Sequence, residues 1–182
     1  MSMLKVPVSP ADHVQGPDDA VVTLLEYGDY ECPFCKMAYP VVKRLQKHFG
    51  ARLRFVFRNF PLRELHPHAQ AAAETAEFAA AHGKFWEMHD LLYENQERLG
   101  DALLLELADD LRLPGMELVQ ALEGGRFTAR VRADFGSGVR SGVNGTPTFF
   151  INGLRHDGPK EFAELLAAVE EAAEWAQNAA TD

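Results

Sequence analysis

The stretch AVVTLLEYGDYECPFCK (residues 20–36) contains both cysteines of the chain, Cys32 and Cys35, with Pro33 directly after the first. It begins with an almost continuous apolar run, which is typical of a β-strand buried on both faces. After Cys32 the apolar residues, Met37 among them, adopt a helical spacing that ends at Gly50. The stretch therefore predicts a strand, a turn at Cys32 and a helix that begins at Pro33.

The rest of the chain predicts two further blocks around this unit. Residues 52–60 alternate and are rich in aromatics, so they predict a second strand and complete a right-handed βαβ unit. Residues 67–141, rich in Ala, Leu and Glu, predict four or five helices. Residues 146–158 predict a hairpin that turns at Asn152-Gly153, and Pro159 then opens a last helix. We expect an α/β fold with the order βαβ, helical block, ββα around a central mixed sheet.

This pattern divides the chain into five segments. They are an extended N-terminal arm and turn (1–19), a βαβ half with the cysteine pair (20–62), an all-helical insertion (63–141), a ββα half (142–178) and a tail (179–182).

Composition and charge restrict the possible functions. A chain of 182 residues with 47% hydrophobic content can bury a core without disulfides, so two cysteines suggest metal binding or catalysis. The net charge of −9 argues against a nucleic-acid partner. No long apolar run predicts membrane insertion, and no signal peptide is recognisable. The expected location is cytoplasmic as written, or extracytoplasmic if a leader has been removed.

The placement of the cysteines predicts their reactivity. Cys32 lies where unpaired backbone N–H groups and the positive end of the helix dipole stabilise a thiolate, so it is the expected nucleophile. Cys35, one turn into the helix, is expected to be more buried and to resolve a mixed disulfide on Cys32. A zinc or iron–sulfur site, with His48, His66 or His68 as further ligands, is the alternative, but one C-x-x-C supplies only half of a ligand set. An unreactive pair is the other alternative.

Two segments carry a family resemblance that covers about residues 15–175. LLEYGDYECPFCKMAYP (residues 24–40) resembles the active-site segment of DsbA-like members of the thioredoxin superfamily, and GVNGTPTFFING (residues 142–153) resembles their cis-proline strand. The resemblance implies a thioredoxin-like fold with a helical insertion and a thiol–disulfide oxidoreductase that binds no cofactor. Its partners would be protein thiols or disulfides and a redox recycling partner.

The resemblance also assigns roles to single residues. It implies that the Thr146–Pro147 peptide is cis, faces the cysteines and presents the Thr146 backbone to a substrate; a trans proline in an edge strand is the alternative. It makes Glu26 the buried acid that assists proton transfer near Cys35, whereas an edge-facing surface glutamate is equally compatible with the pattern.

The residues around the sulfur should tune it. Where the most oxidising relatives have Pro-His, this chain has Pro33-Phe34, and Phe34 offers no imidazole to the thiolate, so Cys32 should be less acidic than theirs. Thr146, where oxidases tend to carry Val, is expected to act in the same direction. Phe34 is also the one aromatic that the loop forces outward to contact substrate.

Other side chains are assigned ordinary positions. Tyr39, Phe60 and Phe149 could extend an apolar substrate surface but fit the core better, and Arg58 and Asn59 fit a polar strand end. His82, His89 and His156 are expected at the surface.

Two other functions use the same residues. One is a cytosolic reductase or peroxide-linked redox partner; the other is a redox-inert binding module that keeps only the fold. No dimerisation segment is recognisable, so we expect a monomer.

Overall fold

The computed structural model describes residues 2–179, and its centre is a five-stranded mixed sheet. The strands are β1 (His13–Gln15), β2 (Val22–Gly28), β3 (Leu53–Asn59), β4 (Thr148–Ile151) and β5 (Leu154–His156). Their order across the sheet is β1-β3-β2-β4-β5. β2 and β3 run parallel, whereas the other neighbouring pairs are antiparallel. The predicted mixed sheet with a parallel βαβ unit at its centre is confirmed.

The helices follow the predicted order along the chain. They are α1 (Pro33–Phe49), α2 (Ala69–Ala81), α3 (Phe85–Glu94), α4 (Asp101–Asp110), α5 (Gly115–Glu123), α6 (Thr128–Arg140) and α7 (Phe162–Ala179). α1 connects β2 to β3, and α2 to α6 lie between β3 and β4. Division of the chain into separate folding units stays a prediction, and residues 180–182 of the predicted tail lie outside the described residues. Across residues 2–179, no helix combines the length and the apolar character that crossing a membrane requires.

Two apolar layers cover the two faces of the sheet. Because side chains alternate along a strand, Leu24 and Phe55 belong to the larger core with α1 and α7. Leu25 and Val56 belong to a smaller core on the other face, where Phe135 of α6 packs. As predicted, β2 is buried on both faces.

The end of β2 positions the cysteine pair. By the same alternation Glu26 faces the α1 side, together with Leu24. At Gly28 the strand closes tightly against β3, because a Cβ atom there would lie 2.4 Å from the Phe57 ring. The chain then turns into α1 four residues later at Cys32, so the turn is held against the carboxyl end of the sheet.

The N-terminal arm differs from the prediction of an extended arm and turn, because part of it is a sheet strand. β1 pairs antiparallel with β3, and Val14 packs on the smaller core. Asp12 forms a buried ion pair with Arg58 at 2.7 Å, which explains why a charged side chain lies inside β3. Met3 bridges to Leu154 in β5.

The predicted hairpin is present, but the last helix begins later than predicted. Asn152 (φ 46°) and Gly153 (φ 81°) form the turn between β4 and β5 in the left-handed region, as an Asn-Gly hairpin requires. Pro159 does not open α7, which begins at Phe162 because the first helical hydrogen bond joins the Leu165 N–H to the Glu161 carbonyl at 3.0 Å.

Candidate active site

Cys32 is the N-cap residue of α1. Its extended backbone (φ −73°, ψ 121°) turns the chain into the helix, and Pro33 occupies the first helical position. The Cys32 carbonyl accepts the first helical bond from the Lys36 N–H at 3.1 Å. Both cysteines are reduced, with 3% of Cys32 and none of Cys35 exposed. The predicted placement of both residues is therefore observed.

The surroundings of Cys32 favour its thiolate. A hydrogen bond from the Cys35 thiol makes the largest contribution, and with bonds from Thr146 and from the Cys35 and Phe34 backbone N–H groups it lowers the pKa of Cys32 to about 5, against the opposing effect of burial. The amide groups at the helix start thus contribute, as the sequence predicts. The larger contribution of the second cysteine could not be ranked from sequence.

Cys35 has the opposite character. Burial is the main cause that raises the pKa of Cys35 well above that of an ordinary thiol, and the nearby Cys32 and Glu26 act in the same direction. Its Sγ atom accepts a hydrogen bond from the Asp29 N–H at 3.5 Å. One thiol of the pair is therefore acidic and the other is held protonated.

The segment before β4 faces the pair. The Thr146–Pro147 peptide is cis, and the Cys32 thiol donates to the Thr146 carbonyl at 3.4 Å. Among the described residues the buried Thr146 hydroxyl has no hydrogen-bond partner, yet it stabilises the Cys32 thiolate. The expectation that Thr146 makes Cys32 less acidic is therefore wrong in sign, because its hydroxyl can donate to the charged sulfur.

Glu26 is buried rather than at a surface edge, with 2% of the residue exposed. Within residues 2–179 its Oε1 atom finds no hydrogen-bond partner. Burial, and then the charge of Cys32, raise the pKa of Glu26 to about 8. The carboxyl lines a cavity of about 10 Å³ that His89, Tyr93 and Lys43 also line. Glu26 is therefore mostly neutral at pH 7 and lies in the electrostatic field of both thiols.

An apolar groove lies beside the cysteine pair. Phe34 is 65% exposed, as predicted, and Met37 is 68% exposed. The prediction that Met37 faces the core is wrong, because the helix face one turn from Phe34 points to solvent. Both side chains line an open groove of about 350 Å³ with Val41, Pro147 and Pro159.

Of the remaining predictions for aromatic and histidine residues, some are right and one is wrong. Phe60 and Phe149 are buried in the core, as the preferred interpretation has it. His89, expected at the surface, is 3% exposed. Its Nδ1 atom lies 3.0 Å from the Tyr30 hydroxyl, and its ring packs edge-on against Phe57. This prediction is wrong because α3 turns its histidine into an aromatic cluster under the active-site turn.

Gln96 and Asp29, which sequence reasoning did not select, hold the active-site turn together with His66, which was considered only as a metal ligand. Gln96, in a 3₁₀ turn of the helical block, donates from Nε2 to the carbonyls of Tyr30 at 2.8 Å and Cys32 at 3.0 Å. Asp29 is 1% exposed and accepts a hydrogen bond from His66 at 2.8 Å. A local pattern could suggest only Asp29, whose carboxylate caps the turn by accepting from the Glu31 N–H at 2.8 Å.

The described residues do not form the zinc or iron–sulfur site that was the alternative to a redox pair. His66 is bound to Asp29, and His48 lies beside Glu170 at 3.4 Å. In the described part of the chain, no group of three or more His, Cys, Asp or Glu side chains is placed to hold a metal ion.

The cysteine pair at a helix start, facing a proline segment across a mixed sheet, defines the thioredoxin class of proteins. The sequence profile of the family described as Thioredoxin matches residues 8–171, and the chain belongs to this family.

Solved structures of several bacterial proteins share this fold. BdbD from Bacillus subtilis in its oxidised form has a TM-score of 0.85 and 26% identity, covering 95% of this chain and 98% of that one. A thioredoxin-like oxidoreductase from Silicibacter pomeroyi has a TM-score of 0.80 and 28% identity, covering 91% and 94%. Wolbachia pipientis alpha-DsbA1 shares the fold with a TM-score of 0.82 at 18% identity, covering 95% and 96%. The fold is therefore that of DsbA-like thiol–disulfide oxidoreductases.

Curated relatives bear a different name. The match to Na(+)/H(+) antiporter NhaA 3 of Salinispora tropica is 47% identical over 167 residues, which is 91% of this chain and 26% of that protein. A match to NhaA 1 of Mycobacterium sp. (strain KMS) is 41% identical and covers 90% and 27%. The chain thus spans about a quarter of the length of these relatives, whose name describes the longer proteins.

Proposed function

We propose that this chain is a thiol–disulfide oxidoreductase that exchanges disulfides with protein substrates through the Cys-Pro-Phe-Cys site. The unequal acidity of the two thiols carries this proposal. The pKa of Cys32 is lowered to about 5, whereas that of Cys35 is raised. The thiolate is the reactive form of cysteine. A thiol of raised pKa leaves slowly and cannot attack while protonated, so Cys35 needs a neighbouring group that gives or takes its proton.

We propose the oxidising direction as the main one, because stabilising the Cys32 thiolate favours the reduced form of the pair. A substrate thiolate attacks Cys32 in the Cys32–Cys35 disulfide, and the sulfur–sulfur bond breaks. Cys35 leaves, takes up a proton, and a mixed disulfide remains on Cys32. A second substrate thiolate then attacks the substrate sulfur, and Cys32 leaves as a thiolate. The substrate loses two electrons, the pair gains them, and a recycling partner must reoxidise it.

Glu26 is the proposed proton donor to the departing Cys35 sulfur. The pKa of Glu26 is raised to about 8, so its carboxyl carries a proton at neutral pH. The carboxyl lies on the α1 side of β2, and its charge acts on Cys35. In the reverse, reducing direction the same carboxylate would accept the Cys35 proton.

The groove lined by Phe34 and Met37 is the proposed contact for the apolar part of a substrate, and the Thr146 backbone is the proposed contact for its main chain. One copy carries the complete site, because Cys32, Cys35, Glu26 and Thr146 all come from one chain. We therefore propose a monomer. No bound cofactor is needed, since the two sulfurs carry the electrons.

The chemistry of the cysteine site determines neither the cellular location of the protein nor any role in ion transport. An oxidising compartment would favour disulfide formation, and a reducing cytosol would favour the reverse. Sodium–proton exchange is not part of the proposed function, because this chain matches the Thioredoxin family and spans only 26% of the antiporter to which it is 47% identical.

Trapping the mixed disulfide tests the proposal. The Cys35→Ser protein, incubated with a substrate whose single cysteine is activated as a mixed disulfide with an aromatic thiol, should release that thiol and accumulate a covalent adduct on Cys32, whereas Cys32→Ser should form none. The wild type should catalyse disulfide exchange that Cys32→Ser abolishes. Absence of turnover in the wild type would instead favour a redox-inert binding module, and turnover that survives in Cys32→Ser would contradict the role of Cys32.

A redox titration of the pair against glutathione tests the direction. A potential well above that of the cytosolic glutathione pool is expected for an oxidant. A potential near that pool would favour the cytosolic reductase or peroxide-linked alternative.

A further inference from the structure

Asp29 ties the loop after β3 to the active-site turn. It lies three residues before Cys32 and is 1% exposed. Its Oδ2 atom accepts hydrogen bonds from the Leu62 N–H and from His66 Nδ1, both at 2.8 Å. The imidazole of His66 is therefore held by a buried carboxylate beside the turn.

The backbone of the same aspartate contacts both cysteines. Its N–H donates to the Cys35 Sγ atom at 3.5 Å, and its carbonyl accepts from the Cys32 N–H at 3.2 Å. Asp29 therefore contacts the His66 ring, the Cys35 sulfur and the Cys32 backbone. The charged groups that act on its ring from this turn are Asp29, Cys32 and Glu31.

We propose that His66, held by Asp29, supplies the positive charge that stabilises the Cys32 thiolate in place of the imidazole that Phe34 lacks. This inference rests on the proposed function, because only a thiolate needs such a charge. Phe34 occupies the position between the cysteines with an apolar ring, whereas the loop after β3 brings an imidazole to the same turn from outside the motif. His66 would tune the sulfur without touching substrate.

The electrostatic balance around His66 agrees with this role. Partial burial opposes its charged form, but the hydrogen bond to Asp29 and the charges of Asp29, Cys32 and Glu31 raise the pKa of His66. Coupling between two titrating groups is reciprocal. If the His66 charge stabilises the Cys32 thiolate, the thiolate must stabilise the charged imidazole by the same amount.

The reciprocal effect can be measured without any substitution that could impair folding. The pKa of His66 is followed by NMR titration of the wild type, once as the dithiol and once as the Cys32–Cys35 disulfide. We expect the His66 pKa to be higher in the dithiol protein by roughly 0.3–1 unit, as charges several ångströms apart near a protein surface produce. Equal values in the two redox states would overturn the proposal.

The second measurement is the pKa of Cys32 in the His66→Gln protein, from thiolate absorbance at 240 nm. It should rise by the same amount as the redox-linked shift of His66, and added salt should shrink the effect. The matched control is His48→Gln. His48 pairs with Glu170 at 3.4 Å and lies at the other end of α1, about 24 Å from its start at 1.5 Å per residue, so it should leave the Cys32 pKa unchanged.

The outcomes separate this inference from the function on which it rests. A low Cys32 pKa in the wild type that His66→Gln does not change, or that His48→Gln raises equally, overturns the role of His66 alone. An ordinary thiol pKa in the wild type would overturn the proposed function and this role together.

Discussion

The Sγ atom of Cys32 lies 3.4 Å from the carbonyl oxygen of Thr146, 114 residues further along the chain. The neutral thiol can donate to that carbonyl, but a thiolate cannot and needs donors instead. The Thr146 hydroxyl is such a donor, because it is buried and no partner for it is found among residues 2–179. Thr146 therefore offers its carbonyl as an acceptor to the neutral thiol and its hydroxyl as a donor to the thiolate.

Thr146→Val should raise the pKa of Cys32 by about 1 unit, since it removes one hydrogen bond to the thiolate while keeping the shape. Thiolate absorbance at 240 nm across pH measures the shift. Stability below pH 5 should not fall, because the hydroxyl is unpaired when the sulfur is neutral. Thr148→Val is the matched control: its hydroxyl donates to the Gly145 carbonyl at 2.8 Å, so it should cost stability and leave the pKa in place. An unshifted Cys32 pKa in Thr146→Val would contradict the role of this hydroxyl.

Phe34→His should lower the pKa of Cys32 and make the disulfide more oxidising, because an imidazole would then lie between the cysteines. Thiolate absorbance and a glutathione titration report the two quantities. Met37→His is the control, since Met37 is equally exposed but lies about one turn further along α1. A raised or unchanged pKa in Phe34→His would count against tuning by this dipeptide.

Glu26→Gln should make the folded protein more stable at alkaline pH. The pKa of Glu26 is raised from 4.5 to about 8 in the fold. Its favourable contribution is therefore fully present below pH 4.5 and is lost as the pH rises through about 8. At pH 9 the substitution should recover roughly 3–5 kcal/mol of unfolding free energy relative to the wild type.

Denaturant unfolding of both reduced proteins from pH 5 to pH 9 gives this difference. The depressed pKa of Cys32 contributes with the opposite sign, gaining stability as the pH rises from about 5, but it is common to both proteins. Glu26→Gln should also slow formation of the mixed disulfide in the oxidising direction, because Glu26 is the proposed proton donor to the departing Cys35 sulfur. If the unfolding free energies of the wild type and Glu26→Gln change in parallel with pH, the Glu26 carboxyl does not titrate near pH 8.

Gln96→Ala should destabilise the active-site turn from outside the motif. It removes two hydrogen bonds to the carbonyls of Tyr30 and Cys32, at about 1 kcal/mol each. Denaturant unfolding should show a loss of about 1–2 kcal/mol, and hydrogen exchange should quicken at the turn. Gln70→Ala is the control, because Gln70 donates to Glu74 on its own helix and not to the active-site turn. Equal losses of unfolding free energy in Gln96→Ala and Gln70→Ala would contradict a specific role of Gln96 in stabilising the turn.

Much of the fold could be predicted because its signals are local. The apolar run of β2, the change to helical spacing after Cys32 and the Asn152-Gly153 turn each depend on a few neighbouring residues. The cysteine roles follow from the same short stretch, since a helix start favours a thiolate wherever it occurs.

The rest of the site depends on contacts between distant segments. Gln96 lies 64 residues from Cys32, and His66 lies 37 residues from Asp29, so no periodicity brings them together. Met37 and His89 were misplaced for a related reason: a helical stripe predicts which residues share a face, but not whether a substrate groove or an aromatic cluster covers it. The sign of the Thr146 effect required knowing that its hydroxyl is unpaired.

The route of the N-terminal arm has a consequence for behaviour at high concentration. β1 covers the outer edge of β3, and Met3 bridges to β5 at the opposite edge. Exposed strand edges recruit other chains and seed aggregates. The arm leaves one margin of the sheet with an outer strand of only three residues and covers part of the other, which limits intermolecular strand pairing.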